Sequence, residues 1–348
     1  MKHVTCSLIT IVLLMNISAT SASAQTSPAV RYMDKINREL NAIMVDSWDY
    51  ISEVAHGKSA KKVELKRKDL VRTSKMAMDK VSKMDAFAGS TEYRDSVVSY
   101  LRINYIVLNE DYEKILNMEE ISEQSYDKME AYLLAQELAD AKLDSAYERM
   151  QEQERIFAGS NKINLLENQD KTAKKLEKAG GIMKYYRQVY LVFFKSYKQE
   201  FYLVDAVSRK DFNAMEQNKN ALVTTSAEGL ETLKNMEPFK TDRSLLFAAK
   251  NALGFYQTES STKIGNIIDF YLQQEKFDKI KSAFDLKPQK SRTKEDVAEY
   301  NAAIKEINSH LDSFNKVNTD LNKNRNSVLE NWNNAAKNFM DKHIPKYK

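Results

Sequence analysis

Apolar side chains recur three and four residues apart over most of this chain, the spacing that gathers them on one face of an α-helix. The clearest run lies near the carboxy-terminal end. There Val297, Tyr300, Ile304, Ile307, Leu311, Phe314, Asn318, Leu321, Arg325, Val328, Trp332, Ala335 and Phe339 alternate by three and four. Such a seam has the 3.5-residue period of coiled coils and long bundles. Thr293 and Asp296 stand at its start with the spacing of a capping box. Upstream, Met33, Ile36, Leu40, Ile43, Met44, Trp48 and Ile51 predict a helix over 33–54, with Gly57 to end it. A second helix is expected over 70–84, after a lysine-rich turn. A third runs through Tyr100, Leu101, Tyr105, Leu108 and Tyr112, with Ser90 or Thr91 as its N-cap after the break at 88–90. Met129, Gln136, Leu143, Met150 and Phe157 recur every seven residues and predict a fourth helix over 122–157. Then come a very aromatic helix over 182–207, another over 211–236 closed by Pro238, and a long one over 245–284 before Pro288.

These elements predict an all-α fold, an elongated bundle of long antiparallel helices. A helix of 30 to 45 residues is roughly 45 to 65 Å long, so helices of this length must lie side by side. The small polar stretch 158–161 (AGSN) is the best boundary between a first bundle unit over 25–158 and a second over 159–348. A shift of 152 residues places Tyr50, Lys58, Glu64, Leu70, Val71, Thr73, Ser74, Met84 and Phe87 on identical residues, nine in 38 ungapped positions. Two duplicated units of about four helices each are the expected organisation.

Composition agrees with helices. The chain has four prolines and eight glycines in 348 residues, too few for a protein built of strands and turns. Its amino-terminal end changes the picture more. Lys2 and His3 precede an apolar run over 7–17 (SLITIVLLMNI), followed by Ala22, Ser23 and Ala24. A basic start, a short apolar core and an A-x-A ending read as a secretory signal peptide over 1–24, cleaved after Ala24. Cys6, the one cysteine, lies inside it. The mature chain then has neither disulfides nor thiolate sites, and export to the periplasm, cell surface or medium is expected. The formal net charge is +4, from 53 basic and 49 acidic residues, a balance that argues against nucleic acid as partner. The lysine-rich segment over 58–68 (KSAKKVELKRK) reads as a solvated helix face.

Candidate chemistry is sparse. A di-metal carboxylate bundle needs two Glu-x-x-His pairs, and only Glu53–His56 qualifies. The shifted counterpart has Asp205 and Ser208, so neither a metal nor a cofactor is expected. No nucleophile elbow or glycine-rich phosphate loop appears, and the chain is read as a non-enzyme. The aromatic helix carries Tyr185, Tyr186, Tyr190, Phe193, Phe194, Tyr197, Phe201 and Tyr202. A central helix packed on two sides is the plainer account of these rings. The sharper alternative is a ligand or partner patch of Tyr185, Tyr186, Tyr190, Phe194, Tyr197 and Tyr202. Asn301, Asn308, Asn315 and Asn322 recur every seven residues beside the last seam, where they are expected to fix register together with Asn318 and Arg325.

Several segments resemble a family of bacterial helical surface proteins of unknown biochemical function. They are 54–59 (VAHGKS), 107–112 (VLNEDY), 125–134 (SYDKMEAYLL), 193–200 (FFKSYKQE), 331–333 (NWN) and 343–348 (HIPKYK). The resemblance implies envelope or surface placement and supplies no active-site residues. The functional expectation is an exported cell-envelope protein that acts by interaction with a protein, glycan or envelope partner. The alternative is a binding protein for a small apolar or aromatic ligand held between helices.

Overall fold

The computed structural model describes residues 18–19, 27–56, 59–166 and 170–345. Cys6, the A-x-A ending at Ala24 and Gly57 lie outside the described residues. The chain is all-α and bundle-like. Among the described residues one two-residue antiparallel pair accompanies the helices, β1 (Ser18–Ala19) with β2 (Leu165–Leu166).

Ten α-helices follow in order among the described residues: α1 (Pro28–Ala55), α2 (Ala60–Ser82), α3 (Glu92–Ile106), α4 (Tyr112–Ser122), α5 (Tyr126–Ser160), α6 (Lys171–Arg209), α7 (Phe212–Asn235), α8 (Ser244–Thr258), α9 (Ile264–Leu286) and α10 (Lys294–His343). Local chemistry starts them. Ser27 accepts the Val30 amide at 3.2 Å in front of Pro28, Ser125 accepts that of Lys128 at 3.2 Å, and Asp211 accepts that of Ala214 at 3.0 Å. Thr293 and Asp296 close a reciprocal capping box, at 2.9 and 3.1 Å. Two helices run further than the sequence suggests. The lysine-rich segment forms the opening turns of α2 instead of a turn, and α6 continues through Gly180 and Gly181. Packed apolar faces outweigh the small helix cost of each glycine.

Two compact units divide the chain. One comprises the described residues up to Gln188 together with those from Ala336, and the other is Val189–Ala335. The division therefore falls inside α6 and α10, and not at 158–161, whose first three residues still belong to α5. In the first unit α1 packs on α2, α2 on α3, and α3 and α4 on α5. The α1 seam of Met33, Ile36, Leu40, Ile43, Met44, Trp48 and Ile51 is buried throughout. In the second, α7 packs on α8.

Two five-residue π-turns interrupt otherwise continuous helices, at Val107–Asp111 between α3 and α4 and at Glu259–Lys263 between α8 and α9. In each the following amide reaches back five residues, Tyr112 to the Val107 carbonyl and Ile264 to the Glu259 carbonyl. The second π-turn lies 152 residues after the first, and α8 begins and ends 152 residues after α3. The turns before them repeat too. Phe87 bridges to Ser90 around Ala88 at φ 50°, and Phe239 bridges to Asp242 around Lys240 at φ 56°. Ser90 then accepts the Glu92 amide, as Asp242 accepts that of Ser244.

Candidate functional site

Each unit sets arginine among buried polar side chains near its π-turn, with Arg67 and Arg187 buried in the first and Arg325 half-buried in the second. Long helices bury such a group only when a partner offsets its lost hydration. In the first unit, Arg187 of α6 donates to Asp140 at 3.0 Å and to Gln136 at 3.3 Å, both on α5. Gln136 occupies a seven-residue repeat position, one turn from Asp140, so the seam itself carries the polar pair. The Tyr112 hydroxyl, beside the π-turn, donates to Asp140 at 3.5 Å. Arg67 of α2 donates to the Leu108 carbonyl inside the π-turn at 2.6 Å and to both oxygens of Glu64 at 2.8 Å. The Tyr50 hydroxyl, the Gln136 amide nitrogen and Arg187 Nε are buried without a hydrogen-bond partner. Burial pushes the phenols of Tyr50 and Tyr112 well above their ordinary range, and Asp140 pushes both further.

The second unit has a different arrangement at its π-turn. Glu259, the first residue of that turn, is 0% exposed and pairs with Arg325 of α10. Glu200 of α6 approaches Arg325 Nε at 2.7 Å, an ionic contact without hydrogen-bond alignment. Two carboxylates thus share one guanidinium. Burial raises both carboxyls above the ordinary range, Glu259 raises Glu200 further, and Arg325 pulls both back. Tyr256 lies close enough that both carboxylates push its phenol up, on top of burial.

The sequence-predicted ring patch is split between the units. Tyr185 and Tyr186 belong to the first, where Tyr186 is buried and Tyr185 lies 5.8 Å from Phe339. Tyr190, Phe194, Tyr197 and Tyr202 belong to the second. Tyr190 stacks 6.3 Å from Trp332 and 5.5 Å from Phe194, and Tyr197 lies 5.7 Å from Phe193. Phe193 and Phe194 are buried, and Phe193 stacks on Trp332 at 4.2 Å. Only Phe201 of this helix keeps a large exposed ring, under the Lys198 ammonium at 4.2 Å. Tyr186, Phe193 and Phe194 are thus interior, and Tyr185, Tyr190, Tyr197 and Tyr202 are half-buried.

His56 Nδ1 lies 2.9 Å from Asp341 Oδ1, and Lys337 holds the other oxygen of Asp341 at 2.6 Å. Among the described residues no group of three or more His, Cys, Asp or Glu side chains is gathered as a metal-ligand set. The asparagine repeat is corrected. Asn301, Asn308, Asn315 and Asn322 are all exposed, so they do not line the packing edge. Asn322 donates to Asn318 at 3.5 Å and accepts from Arg325 at 3.0 Å.

Sequence reading missed Glu200 and Glu259, although a signal for them exists. At the 152-residue shift Glu200 falls on Trp48 and Glu259 on Val107, two buried apolar positions. A carboxylate where the counterpart is apolar marks a buried charge. Arg325 was visible in the seam, without its partners. Compared with protein-family models, curated proteins and solved structures, the chain matches none.

Proposed function

We propose that the protein is an exported, non-enzymatic helical bundle of the cell envelope that works by binding a protein, glycan or envelope partner through a helix face. One observation carries the interaction reading. Between Tyr271 and Asp320, across α9, the connecting loop and α10, only Ala303 among the apolar side chains is fully buried. Leu272, Leu286, Val297 and Leu311 are 47%, 85%, 42% and 39% exposed. Aromatic pairs hold this stretch together, with Phe284 on Tyr300 at 4.4 Å and Phe270 on Phe314 at 4.3 Å. An apolar seam that continues beyond the buried core is what a helix-face interaction requires. The leader over 1–24 supports export. No helix of the described residues is long and apolar enough to cross a membrane.

We further read the chain as an internal duplication. The recurrence of helix ends, π-turns and bridged turns at one fixed shift supports this beyond the nine identities. The alternative of a ligand between helices near Tyr186 and Tyr202 has less behind it, because Tyr185 packs near Phe339 and Tyr190 and Phe193 on Trp332.

The test is affinity capture from envelope fractions with the mature chain and with a Leu286→Glu, Val297→Glu variant. Both side chains are exposed, so melting should change by less than about 0.5 kcal/mol. The variant should lose the captured partner. Equal capture by both proteins, or an unprocessed leader on protein that stays in the cytoplasm, would count against the proposal.

A further inference from the structure

We infer that Glu200, Glu259 and Arg325 form a buried proton-binding site in the second unit, in which the two carboxylates together carry one proton. The argument begins with charge. Glu259 is 0% exposed and Glu200 is 7% exposed, and between them stands the single guanidinium of Arg325. With both acids ionised the cluster would hold one uncompensated negative charge away from water, which costs several kcal/mol on any realistic dielectric. One bound proton restores neutrality.

Among the described residues, Arg325 is the cation that acts on these two carboxyls. Tyr197 of α6 and Tyr256 of α8 face it as phenols, and Asn322 of α10 accepts from Arg325. The Lys198 ammonium, two residues from Glu200, lies over the Phe201 and Tyr202 rings at 4.2 and 5.2 Å. On α7, which packs against the π-turn, Lys219 pairs with Glu216 at 2.6 Å. Hydrogen bonding points the same way. Glu259 Oε2 is buried with no hydrogen-bond partner, and Glu200 Oε1 meets Arg325 Nε only as an ionic contact. Protonating one carboxyl gives it a donor toward the other carboxylate, which when ionised can only accept. The π-turn is part of the device, because its first residue is Glu259 itself, and π-turns of this kind concentrate at functional sites.

The site is a two-acid, one-base unit, which makes an unusual prediction: removing either acid removes the same proton. The remaining glutamate then pairs one-to-one with Arg325 and ionises. The experiment uses the full mature chain in a Glu154→Gln, Asp144→Asn background, which silences two other carboxyls raised by burial. Infrared spectroscopy reads the protonated-carboxyl C=O stretch, and unfolding is followed against pH. The parent should show the band at mildly acidic pH and lose both band and stability as pH rises. Glu200→Gln and Glu259→Gln should each abolish the band and flatten that part of the stability profile. Absence of the band in the parent at mildly acidic pH overturns the inference, whether or not the variants fold. So does a band that persists in either variant. Stabilisation of the parent by sodium or potassium at neutral pH, with no band, would instead mark a metal-cation site and also overturn it.

Discussion

Glu154 shows how much one buried side chain can impose on stability. It projects from α5, is 4% exposed, and burial pushes its carboxyl up to about 7, with Arg155 pulling weakly the other way. A carboxyl with a raised folded value binds more protons folded than unfolded, so it contributes stability below the unfolded value. That contribution is lost as pH rises from about 4.5 through about 7. Glu154→Gln, which keeps the shape and removes the titration, should raise stability at about pH 8 by on the order of 2–3 kcal/mol. Near pH 4 it should change little. Denaturant unfolding at the two pH values checks this, and equal effects at both would show that burial does not set the carboxyl. Nothing in the sequence around Glu154 announces this. It sits among Gln151, Glu152, Gln153 and Arg155, and only the packed structure distinguishes it from its solvated neighbours.

At the scale of elements, α7 and α8 approach closely at Gly229. A Cβ added at Gly229 would stand 2.4 Å from Leu253 Cδ2 and 3.3 Å from Val192 Cγ1, and Leu253 is fully buried. An alanine there favours the helix by about 1 kcal/mol but forces overpacking that costs about 1–3 kcal/mol. We expect Gly229→Ala to lower stability by about 1 kcal/mol net, and Leu253→Val to recover most of the loss in the double variant. Chemical denaturation of the four proteins completes the cycle, and a more stable Gly229→Ala would mean that the α7–α8 contact relaxes freely. The elements themselves were legible where the signal is local. The capping box at Thr293 and Asp296 and the α1 seam both depend on spacing within one or two turns. The π-turns were not legible, since one extra residue per turn leaves the apolar periodicity nearly unchanged over five residues. Their positions are tied to groups distant in sequence, such as Arg67 on the Leu108 carbonyl and Arg325 on Glu259. The division inside α6 and α10 was hidden for a related reason. A helix that serves two cores shows no break in sequence, whereas the small polar residues at 158–161, the end of α5, suggest an obvious one.

For the whole molecule, burial is uneven, and this bears on where it is free to act. α1, α7 and α8 bury continuous apolar faces, including Ile36, Ile43 and Ile51 on α1 and Leu245, Ala249 and Leu253 on α8. The stretch from Tyr271 to Asp320 has the same seam period but leaves it half covered. Local opening free energies follow buried apolar contact, so amides over 273–318 should exchange with solvent well ahead of those in α1 and α8. Hydrogen-exchange mass spectrometry on the mature chain reads both regions at once. If this stretch is the surface that meets a partner, binding should slow its exchange while α1 and α8 hardly change, because covering Leu272, Leu286 and Val297 adds the contact those helices already have. Slow exchange over 273–318 in the isolated chain would mean that its aromatic pairs suffice without a partner. The helix-face reading would then lose its physical motive.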